Sequence, residues 1–489
     1  MRFKKWIGAT AASVLLAASF STASIASAEA TRTIADESIY DLLVDRFFNG
    51  TGTNDIDVNA KDPTLFAGGD FKGLVAKKDF IDKMGFTIVS IGSVFDTEKY
   101  DGSMPTSYTT LEEHFGTEDE LKEAITAYRA SDMKIMVDFP LSNVSANHEW
   151  ATDASKAAWV ASSQDGKVQW DLSNSDVQQA LIDAVVTFVK TSDVDGIRLT
   201  NLENADTAFV NEVIDAIKAV KSTIYIISNE ESDANFDAKY YADTQEIYRN
   251  IYKNVDLDST HIDAHVEEYI NGDGIPTQLM FDNLNTNRFT LDSANENMFP
   301  PTRIKTAISG TLLLPGLPVI QYGSEIAMNG EAGPEAHQFY NFKTDTELID
   351  YIGDLQSLRN DSETLRTGEF KWLKNENGFI AFERKSEDET WIVVINNTGE
   401  TNRVNISPEE IGEGKELRGM FESEIIRKNK EGYYPIILDR EMVEIYQVIE
   451  KRGLNTSYIV ALALVGILYA GFMVIIIKRG RKRRAEKGQ

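Results

Sequence analysis

Two groups of residues in this chain are placed to do chemistry. The first is a run of oxygen donors. Asn49-Gly50-Thr51-Gly52-Thr53-Asn54-Asp55 is followed by Gly68-Gly69-Asp70. Carboxylate, amide, hydroxyl and carbonyl oxygens on a flexible loop suit a hard cation such as calcium, which takes about six to eight of them. A plain Asn/Gly turn has the same composition. The second group is polar and lies in mid-chain: Arg198, Glu230, Asp282, Asn283 and Arg288. A carboxylate there can act as acid or base, and an arginine can grip a ligand. The same residues also suit a structural part, with Arg198 and Asp282 as a buried ion pair and Glu230 as a solvated loop carboxylate. The 489 residues include no cysteine, which excludes disulfides and thiolate metal sites.

The elements that must position these groups follow from hydropathy. Short apolar runs at 39–43, 87–91, 134–139, 195–199, 224–228, 246–248, 278–281 and 318–322 alternate with helical patterns such as 177–190 and 208–219. Eight strands alternating with helices predict a closed parallel (β/α)8 barrel, an α/β fold, over 29–365. From 366 to 450 the pattern switches to period two, in GFIAFERK and TWIVVINN, with NENG and NNTGET as turns. That predicts a C-terminal antiparallel β-sandwich domain.

Both ends speak to location. Arg2, Lys4 and Lys5 precede an apolar stretch and Ala26-Ser27-Ala28, the pattern of a signal peptide over 1–28 cut before Glu29. After a short polar stalk at 451–457, residues 458–477 carry no charge, which is enough to span a bilayer at about 1.5 Å per residue. The tail 478–489 holds seven Lys or Arg, marking a cytoplasmic side. The expectation is a single-pass cell-membrane protein with an extracellular N-terminal bulk. Net charge is -28, and because both ends are basic, the part between them is more acidic still. Such a surface repels nucleic acid and suits neutral ligands or cations.

The stretches YDLLVDRFFNG, AGGDFKGL, HFGT, IMVDF, DGIRL, MFDNLNTNRF and GLPVIQYGSEIAMNG, in that order, resemble the α-amylase family, glycoside hydrolase family 13. The resemblance covers about 37–450. It implies a nucleophilic aspartate after the fourth strand, an acid/base glutamate after the fifth and a third carboxylate after the seventh. Retaining glycosidases need their carboxylate pair about 5–5.5 Å apart. Here the nucleophile position holds Thr200, the acid/base position keeps Glu230, and Asp282-Asn283-Leu284-Asn285 puts Asn285 at the third carboxylate. A threonine hydroxyl without a base is a poor nucleophile. Two histidine positions hold Asn143 and Asp101, and a third holds Leu284. The resemblance also makes Arg198, Asp282, Asn283, Arg288 and Asn143 substrate-binding positions, with Trp150 and Trp170 as sugar platforms or as loop packing.

For the metal, the resemblance to cyclodextrin glucanotransferases and related bacterial amylases implies calcium held by Asn49, Thr51, Asn54, Asp55, Gly68 and Asp70. A second family calcium site keeps Asp171 but has Ser142 and Asn204 as partners, which predicts no tight site. The substitutions imply a non-catalytic, membrane-anchored amylase-like protein that binds an α-glucan or a membrane or surface protein partner. The alternative is an active α-glucan hydrolase in which Glu230 works with another carboxylate such as Glu203 or Glu231.

Overall fold

The computed structural model describes residues 32–451, 456–486 and 488. The signal peptide expected at 1–28 and most of the stalk lie outside the described residues.

Seven parallel strands form the barrel sheet: β1 (Ile39–Asp41), β2 (Ile88–Ser90), β3 (Lys134–Pro140), β4 (Gly196–Thr200), β5 (Tyr225–Ser228), β6 (Gln278–Leu279) and β7 (Leu317–Gln321). Their order is β5-β4-β3-β2-β1-β7-β6. Parallel strands need crossovers, and amphipathic helices supply them. Ser175–Ser192 buries Val177, Leu181, Val185, Phe188 and Val189, and Thr207–Val220 buries Phe209, Val210, Val213, Ile214 and Ile217. Each begins on a side-chain cap, Asn174 accepting from Asp176 N–H and Asp206 from Phe209 N–H.

The eighth barrel position is not where the hydropathy pattern put it. Residues 246–248 lie inside the helix Ala242–Tyr252, where Tyr248, Ile251 and Tyr252 form its buried face. The gap between β5 and β6 is closed instead by residues 237–240. Asp237 N–H donates to Ile226 O at 2.9 Å, Lys239 N–H to Pro276 O at 2.9 Å, and Gln278 N–H to Lys239 O at 2.9 Å. A single parallel bridge, Lys239 to Thr277, marks this degenerate strand. Its polar, uneven sequence, DAKY, carries no β-strand pattern.

After β3 the chain leaves the barrel in a small antiparallel sheet of Val144–Ser145, Val160–Gln164 and Lys167–Trp170. The C-terminal domain holds β8 (Glu369–Glu376), β9 (Phe379–Lys385), β10 (Thr390–Asn396), β11 (Asn402–Ile406), β12 (Lys415–Gly419), β13 (Ile425–Ile426), β14 (Tyr434–Leu438) and β15 (Met442–Glu450). Six make one antiparallel sheet, and β11 with β14 makes a second. Between the two sheets lies an apolar layer that includes Ile392, Val394, Val404, Ile406, Leu417, Ile436 and Leu438. This sandwich bears on the barrel through the buried Arg303, whose guanidinium reaches Asn397 and Glu441.

The last element is the helix Thr456–Glu486. Over 460–485 it is long and apolar enough to cross a membrane, and none of that stretch is buried against the rest of the protein. A buried core helix is therefore excluded, because Leu468 and Ile467 stand 72% and 67% exposed.

Candidate functional site

The C-terminal ends of the barrel strands open into a cavity of about 310 Å³. Its lining includes Asp41, Asp101, Asp138, Arg198, Thr200, Asn201, Asn229, Glu230, Tyr240, Asp282, Asn283, Leu284, Asn285 and His337. In this fold that face is where ligands meet the βα loops.

Arg198 sits at the centre of the floor. β3 and β4 pair in parallel with Asp138 directly beside Arg198, so both side chains point inward together. Arg198 Nε and Nη2 donate to the two Asp138 carboxylate oxygens at 2.7 and 2.8 Å. Nη1 and Nη2 reach across the barrel to Asp41 on β1 at 3.0 and 3.2 Å. One guanidinium thus serves two buried carboxylates. Burial pushes the Asp138 carboxyl up, with Asp41 adding to the rise and the guanidinium opposing it. Arg198 itself stays firmly protonated, since the two carboxylates outweigh its burial.

Beside it, Asp282 is buried and shares Arg249 and Arg288 at 3.4 and 3.2 Å, with Ser324 Oγ donating at 3.2 Å. Burial raises its carboxyl and the two arginines oppose. The ion pair expected between Arg198 and Asp282 is replaced by these separate pairings. Arg288 is fully buried below the floor, where it donates to Tyr322 O at 2.7 Å. It positions Asp282 and does not line the cavity. Asn283 donates to Gln245 Oε1 at 2.7 Å and accepts from Asn285 N–H at 2.8 Å. Asn285 lies exposed at the rim.

Glu230 keeps its carboxylate but not its freedom. Its two oxygens accept the backbone N–H groups of Asn201 and Leu202, the latter at 2.9 Å. Asn201 adopts a left-handed backbone, φ 57°, which asparagine tolerates better than most residues, and this turn presents the two N–H groups. Glu230 therefore straps the loop after β4 while lining the cavity. Thr200, at the end of β4, lines the cavity, and among the described residues no histidine or carboxylate is hydrogen-bonded to its hydroxyl. The carboxylates considered as second groups are engaged elsewhere. Glu203 accepts from Gln169 Nε2 at 3.4 Å, and Glu231 accepts from Ala242 N–H at 3.0 Å.

Asn143, also left-handed at φ 57°, meets Asn201 and Gln169 at the cavity edge at 3.5 and 3.4 Å. Trp150 and Trp170 are not sugar platforms. They are 8% and 2% exposed, packed with Tyr108, His148 and Trp159, and Trp170 Nε1 donates to Tyr108 OH at 3.0 Å. A loop with so little sheet of its own uses these rings as its core. Sequence reasoning missed Asp41, Asp138 and His337. His337 bridges the mouth, one ring nitrogen 2.6 Å from Leu284 O and the other 3.0 Å from Tyr100 OH. Burial holds its imidazole below the usual histidine range. A polar residue inside an otherwise apolar strand, as in IMVDF, was the available signal for Asp138.

Three of the loop donors meet, while the Thr51 hydroxyl turns to Thr53 and the Asn54 amide to His114 O. A Cβ on Gly68 would fall 2.7 Å from Asn49 Nδ2 and 3.0 Å from Asp55 Oδ1, so these three are in contact. Asn49 donates to Asp55 Oδ1 at 2.8 Å. Asp70 accepts from Gly50, Thr51 and Gly73 N–H, and its carboxyl is raised by burial with Asp55 contributing repulsion. Asn54 Oδ1 is buried with no partner. An orphaned amide oxygen on a loop that also carries two repelling carboxylates suits a hard cation. Among the described residues no group of three or more His, Asp or Glu side chains is arranged around a metal. Of the six candidate ligands, Asp55 and Asp70 offer carboxylates, and the others are neutral donors. At the second family position Asp171 turns onto Ser173, and Ser142 Oγ accepts from Trp170 N–H.

Comparison with known proteins agrees with this geometry. A family model described as the α-amylase catalytic domain matches residues 41–170, and one described as the α-amylase C-terminal domain matches 368–446. The solved α-amylase of Anoxybacillus superposes with a TM-score of 0.82 at 32% identity, covering 86% of this chain and 100% of that one. The α-amylase of Geobacillus thermoleovorans, solved with acarbose, gives 0.81 and 30% over 86% and 100%. A cyclomaltodextrinase of Thermoanaerobacter pseudethanolicus is 24% identical over 78% of this chain and 75% of its own length. A β/α-amylase of Paenibacillus polymyxa is 24% identical over 84% of this chain, which spans only 38% of that longer relative. The fold is that of an amylase-type barrel with its C-terminal domain. The chain belongs to the α-amylase family.

Proposed function

We propose that this member is a non-catalytic, membrane-anchored amylase-like protein whose barrel cavity binds the end of an α-glucan without cleaving it. The observation that carries this is the state of Glu230. With both oxygens accepting backbone N–H groups and Thr200 at the nucleophile position, the cavity lacks the free acid and nucleophile that the retaining mechanism needs. What it keeps is a polar floor with Asp41, Asp138, Arg198 and Asp282 already paired, which suits neutral hydroxyl groups. The helix Thr456–Glu486 anchors the protein, and the basic residues after 477 stay on the cytoplasmic side. Asn49, Thr51, Asn54, Asp55, Gly68 and Asp70 would hold a calcium ion, which would supply structural charge to their loop. None of the six lines the cavity.

The test uses the full chain in lipid nanodiscs with calcium and a labelled maltooligosaccharide, beside Glu230→Gln. The expected result is saturable binding without product. Cleavage that the substitution abolishes would establish a working hydrolase and overturn the reading. Neither binding nor cleavage would leave the barrel as a platform for a protein partner.

A further inference from the structure

The outer surface is strongly acidic, yet one edge of the sandwich is not. The hairpin between β13 and β14 carries Arg427, Lys428 and Lys430 against one carboxylate, Glu431, and ends on Tyr433, which is 43% exposed. Asn429 and Tyr433 close this hairpin, with Asn429 N–H donating to Tyr433 O at 2.8 Å. Lys428 Nζ reaches Glu413 at 2.6 Å, and Lys451 N–H donates to Gly414 O at 2.9 Å. The hairpin therefore lies beside the point where the chain leaves the domain.

From Lys451 to the helix start at Thr456 there are four intervening residues. Fully extended, such a connection spans about 18 Å. The headgroup layer adds several ångströms to each side of the apolar core, since a bilayer about 40–45 Å thick has a core of about 30 Å. A domain tethered this closely holds its exit edge at the headgroups. The acidic charge on the far side of the domain lies beyond a screening length of about 8 Å at physiological salt and hardly opposes the contact.

We propose that the edge formed by Arg427, Lys428, Lys430 and Tyr433 docks on anionic lipid headgroups of the leaflet from which the helix emerges, and so fixes the direction in which the barrel mouth faces. The inference rests on the helix being a membrane anchor. The three cations meet lipid phosphates, and the exposed tyrosine sits at the interface, where its ring is favoured. Glu413 gives Lys428 an exposed ion pair that contributes little against a charged surface, whereas Arg427, itself 58% exposed, is paired through Nε with the buried Glu416. Each cation near such a surface is worth about fivefold in docking equilibrium.

The experiment uses the absence of cysteine. Full-length Glu431→Cys and Leu468→Cys variants are labelled with a fluorophore in nanodiscs of phosphatidylcholine alone or mixed with phosphatidylglycerol. Quenching by a water-soluble quencher is then compared. The expected result is protection at 431 that is at least about fivefold greater with phosphatidylglycerol and is lost when Lys428→Glu and Lys430→Glu are added. The label at 468 stays protected throughout. Protection at 468 with equal quenching at 431 on both lipids overturns the docking edge while leaving the anchor intact. Quenching at 468 as in water overturns the anchor itself. Protection at 431 that grows with protein concentration in detergent means a second copy covers the edge, and overturns the lipid assignment.

Discussion

Glu230→Gln distinguishes a strap from a catalytic acid. In the strap, the carboxylate receives two backbone N–H groups, from Asn201 and Leu202. Hydrogen bonds to a charged acceptor contribute roughly 1.5–3 kcal/mol each, and neutral ones about half that. Glutamine keeps one acceptor oxygen and turns an NH2 toward the other N–H. One bond weakens and one becomes a clash of donors. Because Glu230 is only half-buried, the low end applies, a loss of about 2 kcal/mol. That loss falls locally, on the turn after β4. Native-state hydrogen exchange reads it directly, because the Asn201 and Leu202 amides should open about 30-fold more often in the variant. A catalytic acid behaves in the opposite way, since neutralising it costs activity and leaves the fold unharmed. Unchanged exchange at both amides, together with abolished cleavage of a maltooligosaccharide, would refute the reasoning.

Other consequences can be measured on the same protein. Arg198→Met should cost about 3–5 kcal/mol in urea unfolding, because Asp41 and Asp138 are left buried without their cation; adding Asp41→Asn and Asp138→Asn should recover most of it, and no recovery would count against the shared guanidinium. His148 accepts Trp150 N–H at 3.1 Å on Nδ1 and has Nε2 buried without a partner, and burial takes it from 6.5 down to about 3. The unfolded chain therefore binds a proton that the folded chain refuses, so this group removes stability as pH falls below 6.5, by about 3 kcal/mol at pH 4. Against wild type, His148→Gln should flatten the acid limb by about one proton; a difference that does not change with pH would contradict the assignment. Asp45, raised to about 6 by burial, acts in the reverse sense between pH 3.8 and 6 and cancels in that difference. Calcium at a hundred times its Kd should add about 2.7 kcal/mol to stability, and Asp55→Ala should abolish the gain; equal melting with and without chelator would exclude the loop site.

Much of the barrel was legible because buried parallel strands read as apolar runs, and seven of the eight predicted runs coincide with strands. The eighth failed for a physical reason. Residues 237–240 hold their place through three backbone bonds that any sequence can make, whereas 246–248 lie on an amphipathic helix whose buried face imitates a strand. The site was legible by residue type but not by partner. Thr200 was placed at the end of β4 by the family resemblance, and the structure puts it there. That Arg198 pairs with Asp138 and Asp41 depends on strand register and on barrel closure, which bring residues 157 positions apart to 3.0 Å. The tryptophans misled because an aromatic ring in a loop serves a sugar or a miniature core equally well, and burial alone decides between them.

The clasp at 237–240 has a mechanical consequence. Elsewhere around the sheet, neighbouring strands are joined by ladders, but here one bridge completes the circle. A closed ring with one weak link comes apart at that link, so thermal breathing should begin between β5 and β6. This is the wall that carries Tyr240 and Glu230 into the cavity. Threading a bulky ligand through the mouth and loosening the ring would then be the same motion, with the hinge opposite the clasp, at β2. A cross-link from residue 238 to residue 276 would turn the ring into a rigid cup, slowing ligand entry and exit together while leaving their ratio nearly unchanged.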